Sequence, residues 1–259
     1  MTRMDVDLRT GLMFALGVAL SSAVLVSVWG TMRGAVPTAV HLVVCVPALY
    51  FLCICVHDGV HGVLLRPRWL NQWAAGAFGC LLGMPFPLLQ RAHLEHHRMV
   101  GRPEDPEHII YSAAPWQLPW RLLLVPLYYL RSARRLSRPL QLATAAQLVG
   151  TAGVLVVGGA ELAAAWLTPL MLAVGWFGFT TVYVPHSRYA DRLMPWLNWH
   201  SGWHDDHHFD VRYPYPQYID IRLWRIRHGL ETVSDRELRV LQWLAADAFR
   251  TPNASWRRP

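Results

Sequence analysis

The sequence predicts an all-α integral membrane protein: four transmembrane helices, re-entrant or interfacial helices, and a cytosolic helical cap carrying histidine boxes. Three observations point there. Hydrophobic residues make up 53% of 259 positions, in several runs near 20 residues, about what a hydrocarbon core of ~30 Å requires. All 24 basic residues are arginine, and the expected layout puts all but Arg33 on one side, as the positive-inside rule asks. Nine of the 13 histidines fall in three short clusters and one isolated site on that same side.

The first expected span, 11–30, follows Arg3 and Arg9 and lacks a small-residue cleavage site, so it reads as a retained helix rather than a signal peptide. Arg33, Gly34 and Pro37 mark a turn. The second span, 39–56, delivers its C-terminal end into His57-Asp58-Gly59-Val60-His61. An apolar piece from Trp73 to Leu89 is broken by Gly76, Gly79, Gly83, Pro85 and Pro87 and leads into Arg91-Ala92-His93-Leu94-Glu95-His96-His97-Arg98. If both boxes serve one site they share a side of the membrane, so this piece is re-entrant or interfacial rather than a crossing.

A polar loop from Arg102 to His108 follows. The Trp- and Leu-rich stretch 115–130, interrupted by Pro119, Arg121 and Pro126, reads as an interfacial helix. Spans 140–157 and 162–184 are joined by Gly158-Gly159-Ala160-Glu161, and the second ends at Pro185-His186. The tail holds His200-Ser201-Gly202-Trp203-His204-Asp205-Asp206-His207-His208. It ends with a capping-box pattern, Ser234-Asp235-Arg236-Glu237, opening an amphipathic helix with Leu238, Leu241, Trp243 and Leu244. The cap therefore comprises 57–139 and 185–259 of a single domain, 1–259, with both termini and the site cytoplasmic.

Composition excludes several classes. The pI near 9.6 accompanies no basic stripe or nucleic-acid motif, so no nucleic-acid partner is expected. Cys45, Cys53, Cys55 and Cys80 match no zinc, iron–sulfur or disulfide pattern and read as small buried hydrophobes.

The chemistry rests on histidine spacing. His93, His96 and His97, like His204, His207 and His208, are spaced i, i+3, i+4, so each trio leaves one helix face. His57 and His61 lie four apart, and His186 arrives at the same surface. Nine ligands are too many for one zinc, which takes about four; they suit two ions with positions left for oxygen or water, and such sites suit iron. Asp58, Glu95, Asp105, Asp205 and Asp206 are placed to accept the other ring N–H of a ligand. His108 and His200 read as supporting residues, His41 and His228 as satisfied or solvated ones. A zinc hydrolase needs the Glu of H-E-x-x-H, where this chain has H-D-x-x-H. A metal transporter or storage protein would need a polar path through the spans, which hold only scattered groups such as Ser21, Ser22, His41 and Gln147.

H-D-G-V-H-G, then R-A-H-L-E-H-H-R with D-P-E downstream, then W-H-D-D-H-H resemble the three histidine boxes of the membrane fatty acid desaturase superfamily, over most of the chain from His57 to Tyr218. Val184-Pro185-His186-Ser187 and the H-H-F-D-V-R-Y-P-Y-P-Q-Y run are similar to carotenoid ketolases of that superfamily. The resemblance implies four transmembrane helices, a cytosolic cap and a non-haem di-iron centre using O2 as co-substrate. The substrate would be a lipid chain or an isoprenoid, and the outcome desaturation, hydroxylation or ketonisation. With no haem, flavin or iron–sulfur motif in the chain, electrons would come from an external donor such as a ferredoxin, docking on the Arg-rich cytosolic face. Two departures point away from the acyl-CoA Δ9 type. Val182 stands where some of those enzymes carry asparagine, and only three residues separate His57 from His61.

Overall fold

The computed structural model describes residues 3–188, 207, 208 and 218–229, and every regular element among them is helical. The expected tail helix at Ser234, together with His200, His204, Asp205 and Asp206, lies outside the described residues.

Helix α1 (Arg3–Met32) and α2 (Thr38–Val60) form an antiparallel pair joined through Gly34, whose φ of 68° suits a residue without Cβ. Both are apolar on all sides, as membrane helices are. Val24 and Val28 pack in one core with Cys45, Leu49 and Leu52, while Leu25, Val26, Trp29 and Val43 stay exposed on the outer surface. Several polar groups inside these helices are hydrogen-bonded. Ser21 donates to the Gly17 carbonyl, Ser22 to that of Val18. The buried His41 ring bridges Ser27 on α1 (2.8 Å) and the Ala165 carbonyl (2.7 Å). His41 is thus a satisfied interhelical link.

Helices α3 (Arg68–Leu81) and α4 (Phe86–Met99) meet at 101°. Fourteen residues each span only ~21 Å, short of the ~30 Å core. The fully buried Asn71 ties this hairpin to the end of α2: its Nδ2 donates to Gly59 O (2.7 Å), and its Oδ1 accepts from Leu64 N and Leu65 N. Gln90 Nε2 donates to Val60 O at 3.0 Å, so the chain that leaves α2 at Val60 is back at that level by Gln90.

A single turn, α5 (His108–Tyr111), leads to α6 (Leu118–Ala133), which leaves Trp120, Leu123, Leu127 and Leu130 exposed on one stripe. Helix α7 (Arg138–Phe177) continues as a π-helix, 178–183, and one further turn, α8 (Val184–His186). Within α7, Gly159 has φ 64° and ψ −164°, a region open to glycine alone. Two contacts show what happens there. Gln147 donates to Cys80 Sγ at 3.0 Å, and Trp166 Nε1 donates to Leu81 O at 2.8 Å. A straight helix would hold residues 147 and 166 ~28 Å apart, so the chain reverses at Gly159, inside the expected 158–161 turn. Cys80 departs from expectation. It is exposed beside Gln147, whereas Cys45, Cys53 and Cys55 are buried. The last described element, α9 (Tyr218–Arg227), is a short helix.

Three helical runs are long and apolar enough to cross a membrane: Gly11–Met32, Thr38–Val60 and the broken run Arg138–His186. Among the described residues the chain is thus an all-helical protein with membrane-length apolar helices.

Candidate metal centre

The ends of α2, α4 and α8 and the pair His207–His208 converge on one point. Two groups of ring nitrogens form there, each with its ligand atoms within 4.8 Å of one another. One comprises His57, His61, His93, His97 and His207; the other comprises His96, His186 and His208. The groups are adjacent because the α4 box and the His207–His208 pair each feed both, whereas His57 and His61 serve only the first. On α4, His93 and His97 serve the first and His96 the second, while the neighbours His207 and His208 divide the same way.

The distances are compatible with ligation. His97 Nε2 lies 3.0 Å from His93 Nε2 and 2.9 Å from His207 Nε2. Two nitrogens ~2.1 Å from one ion and at right angles would be ~3.0 Å apart. His93 Nδ1 meets Glu107 Oε1 at 3.3 Å, and His96 Nδ1 meets the Asp105 carboxylate at 2.9 Å. Each carboxylate draws the ring proton to Nδ1 and leaves the Nε2 lone pair facing the cluster. His61 Nε2, His96 Nε2 and Glu107 Oε2 are buried without a hydrogen-bond partner, a cost proteins seldom accept without a further ligand.

The surrounding shell is closed by tyrosines. Tyr111 donates to Asp105 Oδ2 (2.7 Å), Tyr129 donates to Glu107 Oε1 (2.8 Å), and the Glu107 N–H donates to Asp105 Oδ1 (2.8 Å). Burial, then the bond to Asp105, pushes the Tyr111 phenol above its usual range; burial, then the Glu107 charge, does so for Tyr129. Both therefore remain donors. Burial first, and then His96, lowers the His208 ring to about 4, while burial and His57 hold His61 below the ordinary range. Neutral rings are what a metal requires. Asp105 and Glu107 are buried carboxylates that no arginine among the described residues pairs with. Metal cations would compensate these charges, so the donor set fits a pair of ions.

Other singled-out residues are disposed as follows. Asp58 is fully buried at the end of α2. Glu95 turns away from the histidines to Ser132 (2.7 Å), Arg91 (2.6 Å) and Arg135 (3.1 Å), joining α4 to α6. Burial would raise its carboxyl, but these three donors outweigh that and hold it below the usual value. His108 meets the Tyr111 ring edge to face, and the exposed His228 bonds back to Trp224 O. Glu107, Tyr111 and Tyr129 were not singled out by spacing; only the acidic run containing Asp105 hinted at the first.

A family model described as fatty acid desaturase matches residues 34–236. No curated protein and no solved structure shows significant similarity to the chain. The match spans well over half of the 259 residues and takes in every histidine of both nitrogen groups; a chain that builds paired imidazole clusters at the ends of apolar helices in this way belongs to the fatty acid desaturase family.

Proposed function

We propose that the protein is a membrane-bound, non-haem di-iron, O2-dependent oxidoreductase acting on C–H bonds of a lipid substrate, of the fatty acyl desaturase/hydroxylase class. The observation that carries this reading is the pair of adjacent nitrogen groups, five imidazoles beside three, on helices of a family that is oxidoreductase by chemistry and membrane-bound by composition. In this reading His57, His61, His93, His97 and His207 hold one ion. His96, His186 and His208 hold the other, with His204 as the remaining ligand of its box. Two iron ions bound there supply O2 activation and abstraction of hydrogen from an unactivated C–H bond.

The protein's own part is positional. Asp105 and Glu107 fix ring orientation, and Tyr111 and Tyr129 fix the carboxylates. Asp58, Asp205, Asp206 and His200 are assigned the same kind of support. The buried walls at Leu88, Ala92 and Val184 exclude water from the cluster. The two arms of α7 count as two crossings, making four in all, with both termini and the histidines cytoplasmic and an external donor such as a ferredoxin supplying electrons.

Metal analysis tests the site. The purified chain is expected to carry two irons, and one zinc without iron would refute the reading. His96→Ala or His207→Ala should leave a folded membrane protein without O2-dependent turnover.

A carotenoid β-ring ketolase or hydroxylase is the second reading, favoured by the Val184-Pro185-His186-Ser187 and H-H-F-D-V-R-Y-P-Y-P-Q-Y runs. Mass spectrometry of products from hosts making both carotenoids and unsaturated lipids separates the two: oxygenated rings support the second, new double bonds or alcohols in acyl chains the first.

A further inference from the structure

Helix α6 presents three stripes. Leu118, Val125 and Tyr129 are buried; Leu123, Leu127 and Leu130 are exposed and apolar; Arg121, Tyr128 and Arg131, together with Trp120, Ser132 and, just past the helix, Arg135, line a cavity of about 550 Å³ against the 103–112 segment. At ~100° per residue the cavity stripe sits about 100° from each of the other two, which lie ~150° apart around the helix. The apolar stripe faces lipid in an interfacial helix, so the cavity opens beside the headgroup layer on the aqueous side. Its volume lies in the ~300–1,000 Å³ range of ligand pockets.

Three arginines and three carboxylates (Glu95, Glu104 and Asp105) line this cavity, but they do not pair off one to one. Arg135 is committed to Glu95. Arg131 lies over the Tyr128 ring at 4.2 Å, and neither it nor Arg121 has a carboxylate partner among the described residues. Arg121 stacks 5.4 Å over Trp120 and uses one Nη on Ile109 O and Ser112 Oγ, while its buried Nε has no partner. Of the acids, Asp105 is held by His96 and Tyr111, which leaves the exposed Glu104 on the rim. Two stacked guanidiniums therefore face one solvated carboxylate. Ten residues separate them, ~15 Å along the helix, too far for one small oxyanion to meet both without drawing each side chain fully inward.

We propose that this cleft binds an anion bearing two phosphate groups, one at Arg121 and one at Arg131, carried by a lipid headgroup or by a free polyphosphate. Guanidinium forks match phosphate oxygens bidentately, and aromatic stacking holds the forks in place. The placement on the aqueous side rests on the membrane reading above, whereas the binding itself does not need iron.

The test is calorimetry on the full-length purified chain with sodium tripolyphosphate, with inorganic phosphate, and with phosphatidylcholine vesicles with or without cardiolipin. Saturable binding of tripolyphosphate or of cardiolipin vesicles, tighter than inorganic phosphate or phosphatidylcholine alone, is expected. It should weaken about tenfold or more in Arg131→Gln and in Arg121→Gln, with iron content unchanged and Arg33→Gln as a neutral control. Cardiolipin binding alone assigns the lipid source; tripolyphosphate binding alone assigns the free one. Absence of both, or full affinity in Arg131→Gln, overturns the proposal even if the iron site stands. Arg131 is exposed and touches only Tyr128 among the contacts described, so that variant is expected to fold.

Discussion

The carboxylates behind the rings decide how firmly a histidine cluster can hold its ions. Asp105 gathers His96, Tyr111 and the Glu107 amide onto one buried side chain. In Asp105→Asn the Nδ1 proton of His96 loses its charged acceptor, and supporting partners of this kind are worth ~10–100-fold in metal affinity. Because His96 belongs to the three-nitrogen group, the loss should be selective. Iron per chain is expected to fall from two toward one, read by metal analysis after mild chelation; equal loss from both groups would contradict the partition. Protons compete at the same atoms. His208 is lowered to about 4 by burial and His96, whereas an unfolded histidine titrates near ~6.5. Between those values the unfolded chain binds a proton that the native ring refuses, so stability falls as pH falls through that window. Denaturation of the metal-free chain at stepped pH should show this decline, less steep in His208→Asn. An identical slope in the variant would show that the ring is not held neutral.

At the scale of elements, short polar ties bring the boxes together. Asn71 alone binds Gly59 O, Leu64 N and Leu65 N where α2 ends, and each buried backbone group left unpaired costs ~1–3 kcal/mol. Asn71→Leu is therefore expected to lower stability by about 2 kcal/mol or more and to loosen His57 and His61 together, seen as a lower Tm and reduced iron retention. An unchanged Tm would mean that the α2–α3 tie is dispensable. Much of this element layout was legible in the sequence. Unbroken apolar runs marked α1 and α2, the Gly/Pro interruptions marked the bent α3–α4 pair, and Gly158-Gly159 marked the reversal in α7. The i, i+3, i+4 spacing pointed to His93, His96 and His97 gathering, with His207 and His208, but not to how they divide. His93, His96 and His97 share a face broad enough to serve two ions, and the split depends on how α8 and the third box approach it. Glu107 was hidden because it meets His93 from 14 positions along the chain, by way of the loop after α4, and Tyr129 because its reach depends on how α6 docks. Glu95 looked like a histidine's partner by position; its face of α4 points instead to Ser132 and Arg135.

At the scale of the whole molecule, the histidines can form one centre only if every crossing returns the chain to the same surface. Gln90 bonds back to Val60, so the α3–α4 pair begins and ends at the level where α2 ends. The α7 run begins beside Glu95, through Arg135, and α8 ends with the His186 ring 5.1 Å from that of His96. On the proposed membrane reading, an excursion that starts and ends at one level would make an even number of crossings, and with the reversal at Gly159 that number would be two. Single reporter cysteines, in a chain whose exposed Cys80 is replaced by alanine, should therefore sort into two sets with a membrane-impermeant thiol reagent. Ala35 and Ala160, in the two outer turns, are expected to label from outside the cell. Pro103, between the second box and α5, should label only after the membrane is opened. If the α3–α4 pair were a true crossing, Pro103 would label from outside instead. It would then lie across the membrane from His57, and the bond between Gln90 and Val60 could not exist. Outside labelling at Pro103 would thus remove the single two-group centre together with the four-crossing topology, because the same hydrogen bond supports both.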